Sequence, residues 1–188
     1  MAIETIISIC LGVGLAASVG FRVFLPLFAL SLASYFNVWE LNESWQWIGG
    51  LTALITLGVA TLVEIFAYYI PYVDNLLDSI SVPLAAFAGT VVMLSTVVDL
   101  SPVITWALAI IAGGGTASAI SGSSGATRLA STASTGGLAN PIVSTIETGT
   151  AVTMSLVSIF FPMLSIILVV LILFIIFKVF KKFKRSKR

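Results

Sequence analysis

Two runs of this chain are too long and too apolar to lie anywhere but in a membrane. From Thr5 to Phe36 the only charge is Arg22, and from Ile142 to Phe177 the only charge is Glu147. At about 1.5 Å of rise per residue, either run would outreach a hydrocarbon core of about 30 Å as one straight helix. Each must therefore tilt, kink or break. The candidate breaks are Pro26, four residues after Arg22, and Pro162, because proline removes a backbone donor and crowds the preceding turn. Composition agrees. With 59 % hydrophobic residues, 9 % charged residues and a mean hydropathy of +1.13, a water-soluble fold would expose far too much apolar surface.

Between these runs the chain alternates apolar spans with short polar connections. Residues 37–47 form the first loop, with Glu40 and Glu43 among Trp39, Trp45 and Trp47, a density of aromatics that marks a headgroup boundary. A second span follows from about Trp47 to Ile70 and carries Glu64 just inside Tyr68, Tyr69 and Tyr72. Pro71 is expected to end that helix. Asp74 and Asp78, four residues apart, then share one face of the next. Residues 82–98 make a third apolar run, ended at Asp99, and a fourth starts near Val103.

The fourth run merges into an unusual stretch, Gly113–Pro141. All but six of its residues are Gly, Ala, Ser or Thr, and its one charge is Arg128. Polar backbone at membrane depth survives only where it packs against protein or lines a wet cavity. Gly114, Ser118, Gly122, Ala126, Ala130 and Ser134 recur every four residues, which predicts a closely packed helix over the first half. Residues 135–141, Thr-Gly-Gly-Leu-Ala-Asn-Pro, predict a break, with Asn140 capping and Pro141 opening the next helix. Gly12, Ala16 and Gly20 form a similar smooth face ahead of Arg22.

The ionisable residues within spans are the candidate binding residues: Arg22, Glu64, Asp74, Asp78, Arg128 and Glu147, with Ser131, Thr135 and Asn140 beside the break. A cation at depth needs a partner or wet surroundings. Arg128 therefore reads either as an anion contact or as one half of an ion pair with Glu64, Asp74, Asp78 or Glu147. Glu64 and Glu147 are candidate proton or cation carriers, whereas Asp74 and Asp78 equally fit an interfacial position.

Several chemistries are disfavoured. There is no histidine, which removes imidazole metal sites and Ser-His or Cys-His dyads. Ser124, in Gly122-Ser-Ser-Gly125, has the local pattern of a rhomboid-protease nucleophile but no base. No nucleotide, cofactor or metal motif is present, and the lone Cys10 cannot form an internal disulfide. Seven of the nine basic residues lie in the C-terminal tail from Lys178 onward. That is a topogenic signal for a cytoplasmic C-terminus rather than a nucleic-acid contact. The N-terminus lacks the positive region of a signal peptide, so the first run is expected to be retained.

Residues 131–141 with Glu147, supported by Gly20-Phe-Arg22 with Pro26 and by Glu64 with residues 70–74 and Asp78, resemble the bacterial membrane family catalogued as domain of unknown function 4126. The resemblance runs over nearly the whole chain and implies a polytopic inner-membrane protein. The family often carries a further charged pair where this chain has Tyr68 and Tyr69.

The expectation is an all-α transmembrane bundle of about six spans with broken or re-entrant segments and both termini cytoplasmic. Five spans with an external N-terminus is the alternative. One membrane domain covers 1–180 and a basic tail 181–188. Halves 1–100 and 101–180, each with an arginine followed ten residues later by Leu-Ala, are candidates for an inverted repeat whose arginines meet near the midplane. The functional expectation is a small, proton-coupled secondary transporter or permeation protein. Its partners would be the bilayer and a small solute or ion, an anion or lipid headgroup being favoured at the arginines. The alternative is a structural or lipid-interacting protein that assembles through its small-residue faces.

Overall fold

The computed structural model describes residues 3–70 and 73–186, with side chains described through Lys182. The helix break expected at Pro71 and the last residues of the basic tail lie outside them. The elements are α1 (Ile3–Val19), α2 (Phe24–Tyr35), a 3-10 segment (Glu43–Gly49), α3 (Leu51–Ala67), α4 (Val73–Thr96), α5 (Pro102–Leu108), a π turn (Ala109–Gly114), α6 (Gly115–Thr135), α7 (Asn140–Phe160) and α8 (Pro162–Ser186). No strand occurs among the described residues. The small-residue stretch is helical all the way to Thr135, and it continues from α5 through the π turn as one rod of 34 residues. The expected break follows it, where Gly136 and Gly137 take φ of 64° and 89°, a left-handed geometry that glycine adopts without penalty.

The protein is a polytopic helical bundle. Four helices are long and apolar enough to cross a membrane: α4, the rod Pro102–Thr135, α7 and α8. A fifth crossing is α3 taken with the 3-10 segment, from which it is bent by 62°. The difference from six spans lies in the first apolar run. It folds as a hairpin rather than as a crossing, because the helix breaks at residues 20–23 and returns. Near the start of α1, the Ser8 hydroxyl accepts from the Val98 amide at 3.4 Å. Just beyond the end of α2, the Asn42 amide donates to the Ser95 carbonyl at 2.9 Å. Both ends of the hairpin therefore meet the C-terminal end of α4. Pro26 does not make the break. It sits in the first turn of α2, where its missing N–H has no intrahelical partner to lose.

The bundle has two distinct ends. One gathers the tryptophan loop and the α4–α5 and α7–α8 junctions, with the Trp39 indole donating to the Ile159 carbonyl at 2.9 Å. The other gathers the break at Arg22 and the α3–α4 and α6–α7 junctions. Here Glu64 meets residues 23–24 and Asp74 meets Asn140. Helix α8 starts at the first end and runs toward the second, where Ile172 and Ile176 lie beside Val143 and Glu147.

Helix α1 is the central post, packed against α2, α4, α6, α7 and α8. Small residues let the backbones approach, as expected of its glycine face. A Cβ on Gly12 would lie 2.6 Å from the Met93 sulfur, and one on Gly20 would lie 2.8 Å from the Ala117 carbonyl oxygen. In the rod, Gly113 meets Gly89 of α4 backbone to backbone. Past the middle of α6 the ladder turns outward: Ala126, Ala130 and Ser134 are exposed. Helices α1 and α6 run in the same direction toward their arginines: Ile9 and Val13 pack with Ala109 and Ala112, Gly20 meets Ala117 and Ile120, and Arg22 and Arg128 share the ring of Tyr68. An inverted repeat would oppose them.

Two predictions follow from this packing. In a Cys10→Ser background, Glu4→Cys and Glu43→Cys should react with a membrane-impermeant maleimide from one side, and Lys181→Cys from the other. Glu4 and Lys181 labelling together would restore an even number of crossings. Gly113→Val should lower unfolding stability in detergent by about 3 kcal/mol through overpacking on Gly89. Gly115→Ala, with nothing within 4 Å of the added carbon, should raise it by about 0.5–1 kcal/mol.

Candidate functional site

Five of the nine candidate residues, Arg22, Glu64, Asp78, Arg128 and Glu147, gather into a buried ionic cluster at the second end of the bundle. Arg22 follows α1 at the point where the chain reverses, and its guanidinium is driven between α1 and α7. Nε donates to Thr148 Oγ1 at 3.0 Å, and Nη2 donates to the Ser144 carbonyl at 2.9 Å and its hydroxyl at 2.6 Å. Arg128 enters from α6. Its Nε donates to Glu147 Oε1 at 3.2 Å and its Nη2 bonds Glu147 Oε2, while Asp78 Oδ1 lies 3.8 Å from Nε. Glu147 also accepts from the Ser124 hydroxyl and faces Arg22 Nη1 at 3.6 Å. One carboxylate thus serves both arginines. Of the two readings open for Arg128, the ion pair is the one realised, with Glu147 and Asp78.

Glu64 has a different task. Its two oxygens accept from the amides of Val23 and Phe24, at 2.7 Å and 3.0 Å. Those are orphan donors at the start of α2, so a carboxylate from α3 caps a helix made by a distant part of the chain. Without it, the break in the first run would leave buried, unpaired N–H groups.

Asp74 and Asn140 sit closer to the bundle end. Asp74 lies in the first turn of α4, accepts from the Asn75 amide at 2.8 Å, and is only 4 % exposed. It is thus enclosed by protein at the end of the bundle. Asn140 does not cap α7: the cap position is Ala139. Its amide nitrogen donates instead to Asp74 Oδ2 at 2.9 Å and Thr132 Oγ1 at 3.0 Å, because an acceptor-only carboxylate buried opposite it outcompetes the helix start. Thr135 lies outside the cluster. It is exposed, donates to the Ser131 carbonyl and accepts from the Ala139 amide, closing the turn after α6. Ser131 Oγ is buried without a partner.

The residue that sequence reasoning missed is Tyr68. It reads as a belt tyrosine, yet it is 8 % exposed and both guanidiniums stack on its ring, Arg22 at 4.1 Å and Arg128 at 4.0 Å from the centroid. Its position where the family often has a charged residue was the available signal. In a cation–π contact the negative face of an uncharged ring attracts the cation electrostatically, so Tyr68 holds both guanidiniums without adding a charge. Ser144 and Thr148, also missed, occupy one face of α7 at helical spacing with Glu147 beside them.

Three cavities adjoin Tyr68. The smallest is about 10 Å³, near the size of a single water position, lined by Glu64, Asp78, Ser81, Ser124 and Arg128. A second is open, about 270 Å³, and lies between the α3–α4 and α6–α7 junctions. The third, about 380 Å³, is lined mainly by apolar residues of α3 and α4. Four carboxylates (Glu64, Asp74, Asp78 and Glu147) face two guanidiniums across this end of the molecule, an excess of two formal negative charges. In a low-dielectric interior such an excess draws in protons or cations.

Residues 9–182 match the profile of the family described as Domain of unknown function (DUF4126). The chain belongs to that family. Its description assigns no function, and neither a curated protein nor a solved structure matches the chain. Within this family member, the residues of residues 131–147 that carried the resemblance are those that build the break and the ionic cluster.

Glu147→Ala should lower unfolding stability by about 3–5 kcal/mol, since it strands two buried guanidiniums. In an equilibrium unfolding series, Arg128→Ala added to Glu147→Ala should cost far less than the sum of the two single changes. Additive losses would show that the pair is not coupled.

Proposed function

We propose that the protein is a small secondary transporter of the bacterial inner membrane, coupled to protons through the buried ionic cluster. The observation that carries this reading is the excess of carboxylates around Arg22, Arg128 and Tyr68 beside an open cavity. Intramembrane carboxylates that lack a full complement of cations are the usual proton relays of transporters. Asp78 is the favoured carrier. It is the carboxylate of the cluster with the most exposure, at 15 % for its side chain, and its nearest cation is 3.8 Å away. Glu147 is committed to two arginines and Glu64 to two amides, so each serves better as a fixed counter-charge. The positive-inside bias at the exposed Lys178, Lys181 and Lys182 supports a cytoplasmic position for the second end of the bundle and the open cavity. The five-crossing arrangement then leaves the N-terminal end outside.

An anionic solute at the arginines fits this geometry less well than the sequence reading supposed. Both guanidiniums already face Glu147, and an anion would have to displace it. The second reading is a structural or lipid-interacting protein. It is favoured by the smallest cavity holding room for about one water and by the polar bonds that tie α2 to α3, α4 to α6 and α7, and α6 to α7 at this end.

The test is proton flux in proteoliposomes carrying an imposed pH gradient and a pH-sensitive dye, with a panel of small solutes outside. Wild-type protein should dissipate the gradient when a substrate is present, and Asp78→Asn should reduce that rate roughly tenfold or more. Wild-type vesicles that never exceed protein-free vesicles, while Arg128→Gln alters only stability or assembly, would establish the structural reading instead.

A further inference from the structure

The open cavity between the α3–α4 and α6–α7 junctions brings together a carboxylate and an unpartnered amide oxygen. Asn140 lines it, is 4 % exposed, and its amide oxygen Oδ1 has no hydrogen-bond partner. The amide cannot be turned round to satisfy it. Its nitrogen must face Asp74 Oδ2 and Thr132 Oγ1, and an oxygen there would meet a carboxylate oxygen. Asp74 itself, also a lining residue, has no cation within 4.0 Å among the described residues. The helix-start amides nearby offer nothing to an anion. Asp74 and Asn140 donate theirs to the Ile70 and Gly137 carbonyls, and the Asn75 amide goes to Asp74. Tyr69 supplies an aromatic wall; the ring of Tyr68, also in the lining, is already taken by Arg22 and Arg128.

We propose that this cavity is a binding site for a primary ammonium group, held by Asp74 and the amide oxygen of Asn140 beside Tyr69. A carboxylate, a carbonyl-type acceptor and an aromatic wall are the complement of an N–H-bearing monovalent cation. The described residues hold no group of three acidic, histidine or cysteine ligands here, so a hard metal ion is not the match. At about 270 Å³ the cavity lies at the small end of ligand sites. It takes a small free amine or the ammonium head of an ethanolamine lipid, since it opens at the bundle end where headgroups lie. The inference deepens the transport reading by naming a substrate class, and it rests on that reading only for the claim that the bound amine moves.

Calorimetric titration of the full chain in detergent tests the site without requiring flux. Methylammonium should bind wild-type protein, tetramethylammonium should bind roughly tenfold more weakly because it has no N–H to donate, and Asp74→Asn should lose methylammonium binding. Tyr69→Leu, at an exposed position that tolerates change, should weaken it about two- to fivefold and serves if Asp74→Asn fails to fold. The lipid source is separated by thermal unfolding in nanodiscs. Phosphatidylethanolamine stabilising the wild type over phosphatidylcholine, with no difference for Asp74→Asn or Tyr69→Leu, assigns the site to the headgroup. Equal binding of the two ammonium ions, or neither amine nor ethanolamine lipid acting on the wild type, overturns the proposal. Amine binding without proton flux would sink the transport reading and leave this site standing, whereas flux without amine binding would do the reverse.

Discussion

One carboxylate holds this end of the molecule together. Glu147 takes a bidentate bond from Arg128, a hydroxyl from Ser124 and the charge of Arg22, so α1, α6 and α7 converge on a single side chain. In hydrocarbon the alternatives are poor. An isolated guanidinium at depth costs at least about 2.5–3.5 kcal/mol on insertion scales, and two of them without Glu147 would repel each other as well. The broken first run, the placement of α7 and the stacking of Tyr68 all depend on satisfying these two cations away from water.

The same demand explains the hairpin. A chain that reverses inside a membrane exposes helix-end amides with no water to receive them. Glu64 supplies the acceptor from α3, and the Ser18 hydroxyl bonds Ser155 and the Ala151 carbonyl to pin α1 against α7. Elsewhere the bundle relies on contact. Glycine and alanine at the α1–α4, α1–α6 and α4–rod crossings bring backbones together, which recovers dispersion energy where no hydrophobic effect operates between helices. Polar bonding is therefore concentrated at one end and close packing runs the length of the post.

Much of the site was legible in the residues. Ionisable groups in apolar runs are rare enough that their positions alone marked Arg22, Glu64, Arg128 and Glu147, and consecutive glycines marked the turn at 136–137. What was not legible depends on pairing between distant segments. Asn140-Pro141 has the local form of a cap, but the cap is lost because Asp74, 66 positions away, takes the amide. Tyr68 has the local form of a belt residue, yet two guanidiniums from other helices claim its ring. The small-residue ladder reads as one packed face, but its second half turns outward, and there the side of α6 that faces α4 carries Arg128, opposite Asp78.

Hydropathy and the near-absence of charge determined from the sequence alone that this chain is a helical bundle in a bilayer, because backbone in hydrocarbon must satisfy its own hydrogen bonds. They also determined which side chains would need partners. The tertiary structure decided who those partners are, that the first run turns back instead of crossing, and that both arginines share one glutamate beneath an open, acceptor-lined cavity. Periodicity cannot carry that information. A run of apolar residues is equally content in one long helix or two short ones, and the choice falls to the distant carboxylate that caps the break.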